Sequence, residues 1–527
     1  MKNVLMATKV NDSAFEGFSK ELTGVDVKVD RLRSGLKELD GLKDGELEQR
    51  LVNYNVLVVR SDKVDKRIMD ASRSLELVIR AGAAVSDIDV NYATQMGVIV
   101  SNTPGRNSNA VSELVFSFML DAYRHAREAH LRMVKGEFPK ADFVGRELRG
   151  KRIGILGYGN IGQLVAEKSA AFGMKIVAYD PLVGNELFGR YGTVRATTID
   201  ECFNADIVTL HMPLTEGTKG AIGLDQLKNM NTNGLLINTA RAGLIDEDTL
   251  IGFMWERTDV RYAADVHYGG DKEGLKKVLE RFPSRVLATP HIGGNTYEAN
   301  SNAFIAAAMQ LRSFVEKGIA QNAVNYNPLS EAGRPYADAA RLIASFASHL
   351  FTGNVSGANI TYRGYVPDMD AVTGYALAAI LGGGDVNPVN ARSRFDSRKL
   401  NLTVTCESPD DTRRDIEVTI NDGDENVSVS GALFDNMIRI TGINGYQTDY
   451  GPVGSHLVVH HRNEVGAIGK IGTAIGDVGI NIAYVKNVSR GGNALTLVTT
   501  DRTVEGGVID KITGELDPHY IRQFRVD

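Results

Sequence analysis

The first hundred or so residues repeat one pattern. Short runs of apolar residues, "NVLMAT", "VDVKV", "NVLVVR", "LELVIRAG" and "MGVIVSN", alternate with longer stretches of mixed polar and apolar positions. The runs are short enough for strands, and the intervals are long enough for helices. Strands buried on both faces read as continuous apolar runs, so the pattern predicts a five-stranded parallel sheet covered by helices. A single helical pattern follows from Ser108 to about Lys135. The alternation then restarts with "RIGILG", "KIVAYD", "TVRAT", "DIVTLHMP", "GLLINTA", "YAADV" and "VLATPH". Two doubly wound α/β units are therefore expected before about residue 325. The alanine-rich helical segment from Thr296 to Lys317 is expected to return to the first unit, making that unit discontinuous.

Near Asn325 the texture changes. "VNYNPLSEAGRP" carries two prolines and several turn formers and marks a boundary. A third unit to about Pro452 holds the alternating strands "NLTVTC", "RDIEVTI", "VSVSGALF" and "MIRITGI" and a glycine turn at Gly382 to Gly384. A fourth, small unit has a βαββαβ order: "HLVVHH", a helix from Ala467, "NIAYVKN", "ALTLVTT", then a helix and a strand.

Composition narrows the function classes. At 527 residues the chain is too long for one core. A formal net charge of −6 gives no global argument for nucleic acid or a membrane surface. The longest charge-free run, "ASFASHLFTGNVSGANITY", is polar and glycine-containing and would not span a bilayer. Two distant cysteines, Cys202 and Cys406, offer neither a disulfide framework nor a metal spacing, which fits a reducing cytoplasm. The N-terminal "MKNVLMATKV" has no targeting pattern.

The chemistry begins at "GYGNIG". Gly157 would make the tight turn after a strand, Gly159 would let a pyrophosphate approach the backbone, and Gly162 would let the helix lie close to the sheet. The helix N-terminus offers free N–H groups to phosphates. Asp180, at the end of the next strand, would accept hydrogen bonds from a ribose diol and repel a 2′-phosphate, which favours NAD over NADP. Farther on, Arg241 sits just past "GLLIN" and His291 just past "VLATP", where ligands bind in open α/β sheets. An arginine can fork onto a carboxylate and a histidine can take a hydroxyl proton, as 2-hydroxy acid oxidation needs. A lone histidine after a strand is usually a packing or surface residue. Here it stands with the arginine and the fingerprint, in order.

These segments, with "VVRSDKVD", "VIRAG", "NTPGRNSNAVSEL", "NTARAG" and "TPHIGG", resemble the D-isomer-specific 2-hydroxyacid dehydrogenases, and within them the long phosphoglycerate dehydrogenases. The resemblance covers essentially the whole chain. It implies a Rossmann-type NAD unit (104–295) inserted in a flavodoxin-like substrate unit (1–103 and 296–325). An α+β intervening regulatory unit (326–453) and a ferredoxin-like ACT unit (454–527) would follow. By resemblance, Asn160 and Ile161 line the pyrophosphate, and His211, Met212, Pro213, Thr239, Asp265 and Gly294 contact the rest of the cofactor. Arg60, with Arg80, Gly82, Asn107 and Lys140, would meet the substrate. The implied activity is oxidation of 3-phosphoglycerate at the entry to serine synthesis, in a cytoplasmic homodimer or homotetramer without metal. For Arg60 and Lys140 a solvated surface charge is the competing reading.

The chain departs from that family at telling positions. The glutamate that usually bonds the catalytic histidine is Gly270, with Asp271 and Glu273 as possible substitutes. Ala84 and Ser86 replace a glycine and an aspartate in "RAGAAVSDIDV", where an added methyl could narrow the cleft or change the backbone angles. Val465 replaces the proline before Gly466. His461, Asn463 and Asn481 occupy positions resembling an amino-acid effector site, with serine the ligand implied, although simple pairing through the sheet would explain them too. Arg392 and Arg394 could bind an anion or be solvated. Two alternatives stand beside the leading reading. One is a dehydrogenase of another 2-hydroxy or 2-oxo acid; the other is an NAD- and effector-binding regulatory protein with weak catalysis.

Overall fold

The computed structural model describes every residue except 269–275, 408–413, 424 and 435–436. The first five apolar runs form β1 (Lys2–Met6), β2 (Val27–Arg31), β3 (Val56–Val59), β4 (Leu77–Arg80) and β5 (Ile99–Asn102). They make one parallel sheet in the order β2-β1-β3-β4-β5, the flavodoxin-like order. All four residues of β3 are buried, which is why its sequence shows no alternation. The helix Tyr297–Lys317 returns to this sheet, capped by the Thr296 hydroxyl, which accepts from the Ala299 N–H. Its buried Ala303, Phe304, Ala307 and Leu311 share a core with Val4, Phe18 and Val56. Small alanine faces let it lie close against the helix Asp12–Glu21.

The second sheet contains β6 (Arg152–Leu156), β7 (Lys175–Tyr179), β8 (Val194–Arg195), β9 (Ile207–Leu210), β10 (Leu235–Asn238), β11 (Arg261–Ala264) and β12 (Val286–Ala288). Its order, β12-β11-β10-β9-β6-β7-β8, reverses direction between β6 and β9. That crevice is the switch point where dinucleotides bind in such sheets.

One expectation fails between these sheets. The pattern from Ser108 to Lys135 is two helices, Ser108–Arg124 and Ala126–Val134, broken at His125 (φ 55°). No glycine or proline signals the break. The Arg261 guanidinium donates to the Ala122 carbonyl and to Nδ1 of His125, so a partner from β11 caps the first helix.

The third sheet has two strands more than the sequence pattern suggests. It comprises β13 (Gly357–Arg363), β14 (Asn401–Glu407), β15 (Asp415–Asn421), β16 (Asn426–Phe434), β17 (Met437–Ile443) and β18 (Tyr446–Tyr450), in the order β14-β13-β15-β16-β17-β18. The additions are β13 and β18. The fourth sheet pairs β19 (Gly454–Arg462), β20 (Ile482–Arg490), β21 (Asn493–Thr500) and β22 (Tyr520–Val526) in the antiparallel order β20-β21-β19-β22. One face of it is covered by the helices Ala467–Gly476 and Gly506–Leu516. The other face joins the third unit's core: Val458, Leu497 and Phe524 pack with Phe346 and Tyr450. Among the described residues, no helix is long and apolar enough to cross a membrane.

His456 lies in that shared core, 1% exposed. Its Nε2 donates to the Pro452 carbonyl at 3.0 Å, so Nδ1 accepts from the Tyr450 hydroxyl at 2.8 Å. Burial, with His349 nearby, pushes its pKa down to about 4. An unfolded histidine titrates near 6.5, so between these values the unfolded chain binds the extra proton and stability falls as pH falls. The full loss is about 3 kcal/mol. Acid unfolding of this half of the chain, followed by far-UV circular dichroism from pH 7 to 4, should flatten in His456→Gln. An unchanged slope would contradict this origin.

Candidate active site

The glycine turn is built from three different requirements. Gly157 follows β6 with φ 92°, and a β-carbon there would lie 2.6 Å from the His211 carbonyl carbon. A β-carbon on Gly162 would lie 2.1 Å from the Gly157 oxygen, so this glycine sets the helix–sheet distance. Gly159 differs: a β-carbon there meets nothing within 4 Å. It caps the helix Asn160–Ala171 without a side-chain bond, so the first helical amides are open to a ligand. Asp180, just past β7, accepts from the Tyr158 N–H at 2.8 Å and the Leu182 N–H at 2.9 Å. Its carboxylate thus lies against the glycine loop with lone pairs remaining. The Thr239 hydroxyl, just past β10, is buried without a hydrogen-bond partner among the described residues, as a site awaiting a polar group would leave it. These features fit NAD. His211, just past β9, is the wrong kind of group for proton transfer: burial pushes it down to about 3, and Nε2 pairs with the Thr209 hydroxyl. It and buried Met212, followed by Pro213, form a neutral wall.

Two braced loops carry the polar candidates. Asn238, the fully buried last residue of β10, donates from Nδ2 to the Arg241 carbonyl at 2.9 Å and accepts from the Ala240 N–H at 3.1 Å. Arg241 is exposed at the apex of that turn. Asp265, 1% exposed and just past β11, accepts from the Thr289 hydroxyl at 2.5 Å and the N–H groups of Ile292 and Gly293 at 2.7 and 2.6 Å. His291 is held between these bonds in a left-handed conformation (φ 55°), with its ring exposed. Asp265, expected at the cofactor, directs its oxygens to the histidine loop. Asn238 and Thr289 escaped sequence reading; the amide closing the turn in "NTARAG" was the available signal for the first.

The first sheet supplies the opposite wall. Arg60, at the end of β3, donates to the Ala81 carbonyl at 3.1 Å and to the Gly294 carbonyl at 3.4 Å, across to the histidine loop. Arg80, ending β4, reaches Asp87 at 3.3 Å, and its guanidinium lies where a β-carbon on Gly82 would be. Burial and then the neighbouring Arg80 charge lower the pKa of Arg60. An anion between the two cations would offset both effects. Asn107 crosses to Gly294, whose β-carbon would lie 2.7 Å from Asn107 Nδ2. Asn160 abuts Gly105, and Ile161 packs on the core beneath the turn. Lys140 is exposed on the turn Lys140–Asp142 and touches neither arginine. Ala84 is not among the residues with left-handed backbone, so its methyl imposes no such strain. Gly270, Asp271 and Glu273 lie outside the described residues.

The three effector candidates do not converge within one chain. His461 is 1% exposed, with Nε2 bonded to the Thr496 hydroxyl and Nδ1 to the Arg462 carbonyl. Exposed Asn463 bonds through its N–H to the Gly492 carbonyl, before β21. Asn481 is exposed beside Asp501, at the far end of that strand. Val465 is fully exposed before Gly466, whose φ of 89° opens the following helix. Arg394 pairs with Asp385 at 3.5 Å, and Arg392 is exposed. Among the described residues no cluster could hold a metal ion.

The profile of the D-isomer specific 2-hydroxyacid dehydrogenase, NAD binding domain, matches residues 116–293. The chain is 33% identical to the D-3-phosphoglycerate dehydrogenase of Methanocaldococcus jannaschii, across 90% of this chain and 92% of that one. It is 31% identical to that of Bacillus subtilis over the same shares. Among solved structures, NAD+-bound 3-phosphoglycerate dehydrogenase of Entamoeba histolytica superposes with a TM-score of 0.50. It is 33% identical and covers 62% of this chain and 99% of its own.

The three glycines separate by experiment. Gly162→Ala should destabilise the protein by about 1–3 kcal/mol, because neither the backbone oxygen nor the sheet can move away freely. Gly159→Val should keep the melting temperature and weaken NADH binding, read by fluorescence titration. Full NADH affinity in Gly159→Val would remove this loop from the cofactor site.

Proposed function

The chain belongs to the D-isomer-specific 2-hydroxyacid dehydrogenases, and from that premise we propose that it oxidises D-3-phosphoglycerate to 3-phosphohydroxypyruvate with NAD, the first step of serine synthesis. One observation supports this site assignment above the others. The Arg241 and His291 loops leave the same end of β10 and β12, each braced by a buried side chain, and Arg60 of the opposite sheet reaches the second loop.

NAD, when bound, supplies the hydride acceptor. The chain's own residues do the rest. The Arg241 guanidinium takes the substrate carboxylate in a fork, which fixes the face that C2 presents. His291 accepts the proton of the C2 hydroxyl and returns it in the reverse reaction. Arg60 and Arg80 receive the phosphate, whose charge offsets their mutual repulsion. Asp180 accepts from the ribose diol and repels a 2′-phosphate, Thr239 offers its unpartnered hydroxyl, and neutral His211 excludes water. An amino-acid effector, serine first, would sit where two chains meet at the exposed edge strand β20, because one chain does not gather His461, Asn463 and Asn481.

Initial rates with NADH and a panel of 2-oxo acids test the proposal. Phosphohydroxypyruvate should give the highest kcat/KM. Arg60→Ala should raise its KM at least about tenfold while leaving that of unphosphorylated hydroxypyruvate nearly unchanged. His291→Ala should lower kcat about a hundredfold or more with NADH binding intact. Faster turnover of another 2-oxo acid would favour a different substrate. NADH binding without turnover of any would favour a regulatory protein.

A further inference from the structure

A cavity of about 420 Å³ lies between the first and third units, away from the proposed catalytic loops. Its walls are the connector after the first unit, with Tyr326 and Asn327, the start of the helix Met369–Leu381, with Asp370, and the loop holding Pro388, Val389 and Arg392. Two of these walls are pinned to a single segment of the first unit. Asn325 accepts from the Val100 N–H at 2.8 Å and donates to the Val98 carbonyl at 2.9 Å. From the other side, Asn387 donates to the Gly97 carbonyl at 2.9 Å and Asn390 to the Gln95 carbonyl at 3.3 Å. Asn387 also closes its own turn by accepting from the Val389 N–H at 3.0 Å. The cavity is thus held open on both sides by amides, half-buried Asn325 and Asn387 and fully buried Asn390, as preformed small-molecule sites are.

Its charges are unmatched. Arg392 and Asp370 stand on different walls, and neither has an ion pair or a side-chain hydrogen bond among the described residues. Their neighbours do: Arg394 pairs with Asp385, and Arg363 with Glu407 and Glu417. We infer that this junction binds a small zwitterionic amino acid. Arg392 takes the α-carboxylate and Asp370 the α-ammonium, each by a charge-assisted bond. Pro388, Val389 and Ala371 meet a short side chain, and the Tyr326 phenol and Asn327 amide can pair with a hydroxyl. A simple anion would leave Asp370 facing it, so the two charges together select a ligand carrying both signs. The segment Gln95–Val98 runs directly into β5, where Asn102 donates to the Ala83 carbonyl of the cleft loop. A ligand tightening the junction therefore bears on the wall that receives the substrate. Only that effect on rate rests on the proposed dehydrogenase activity; binding does not.

Equilibrium dialysis with glycine, L-alanine and L-serine tests the assignment in Asn481→Ala protein, which removes any contribution from the fourth unit. At least one should bind once per chain, at micromolar to millimolar affinity. Arg392→Gln and Asp370→Asn should each weaken it at least about tenfold, with melting temperature and turnover in the absence of amino acid unchanged. No binding of the three at 10 mM (about the weakest affinity of interest), or binding untouched by both substitutions, would overturn the proposal. So would inorganic phosphate binding that Asp370→Asn strengthens, which would make the cavity an anion site.

Discussion

The site depends on one buried carboxylate. Asp265 stands at the end of β11 with almost no solvent contact, and three donors from residues 289–293 converge on it. A carboxylate in such a place is costly unless donors surround it, and removing it would leave two backbone N–H groups unsatisfied. That makes the loop geometry nearly obligatory, including the left-handed conformation of His291 (φ 55°), which a non-glycine residue rarely adopts unsupported. Because Gly294 continues from the clamped segment, its carbonyl stands where Arg60 can reach it and its α-carbon where Asn107 fits. The same clamp thus orders the histidine loop and helps set the separation of the two sheets.

The second half of the chain is tied on differently. Its third and fourth sheets share an apolar core around Phe346, Tyr450, His456 and Phe524, so they act as one packed body. Its hold on the first unit runs mainly through amides, Asn387 and Asn390 among them, to backbone carbonyls at 95 and 97, with Val389 packed against the first unit's core between them. Polar contacts of this kind are weaker and more readily rearranged than a shared core, which suits a joint that transmits a regulatory signal.

Much of this was legible in the sequence because the parallel sheets are buried on both faces. Runs such as Val56–Val59 and Ile207–Leu210 are entirely buried, and the three glycines declare their packing. The strands β13 and β18 were not legible. The first begins with glycine and follows a polar, glycine-containing stretch that masks the alternation of buried Ala358, Ile360 and Tyr362 with polar residues, and the second, "YQTDY", is a polar edge strand. The break at His125 was hidden because its cause, Arg261, lies 136 residues away. The roles of Asn238 and Asp265 were hidden for a different reason: a residue type and a spacing do not say which backbone groups a side chain will bind, whether they lie two residues away or more than twenty. The effector trio shows the converse, since three residues matching a pattern lie at opposite ends of β21.

The measurement that bears most directly on this account is Asp265→Asn, read by hydrogen–deuterium exchange of the peptide spanning residues 286–296 together with kcat. Asparagine keeps the volume but replaces one acceptor oxygen with a donor amide, so it cannot satisfy all three donors. The account predicts faster exchange in this peptide and a fall in kcat of about tenfold or more, with Arg241-dependent substrate binding and exchange in the glycine loop retained. Wild-type exchange and wild-type kcat in the variant would contradict it.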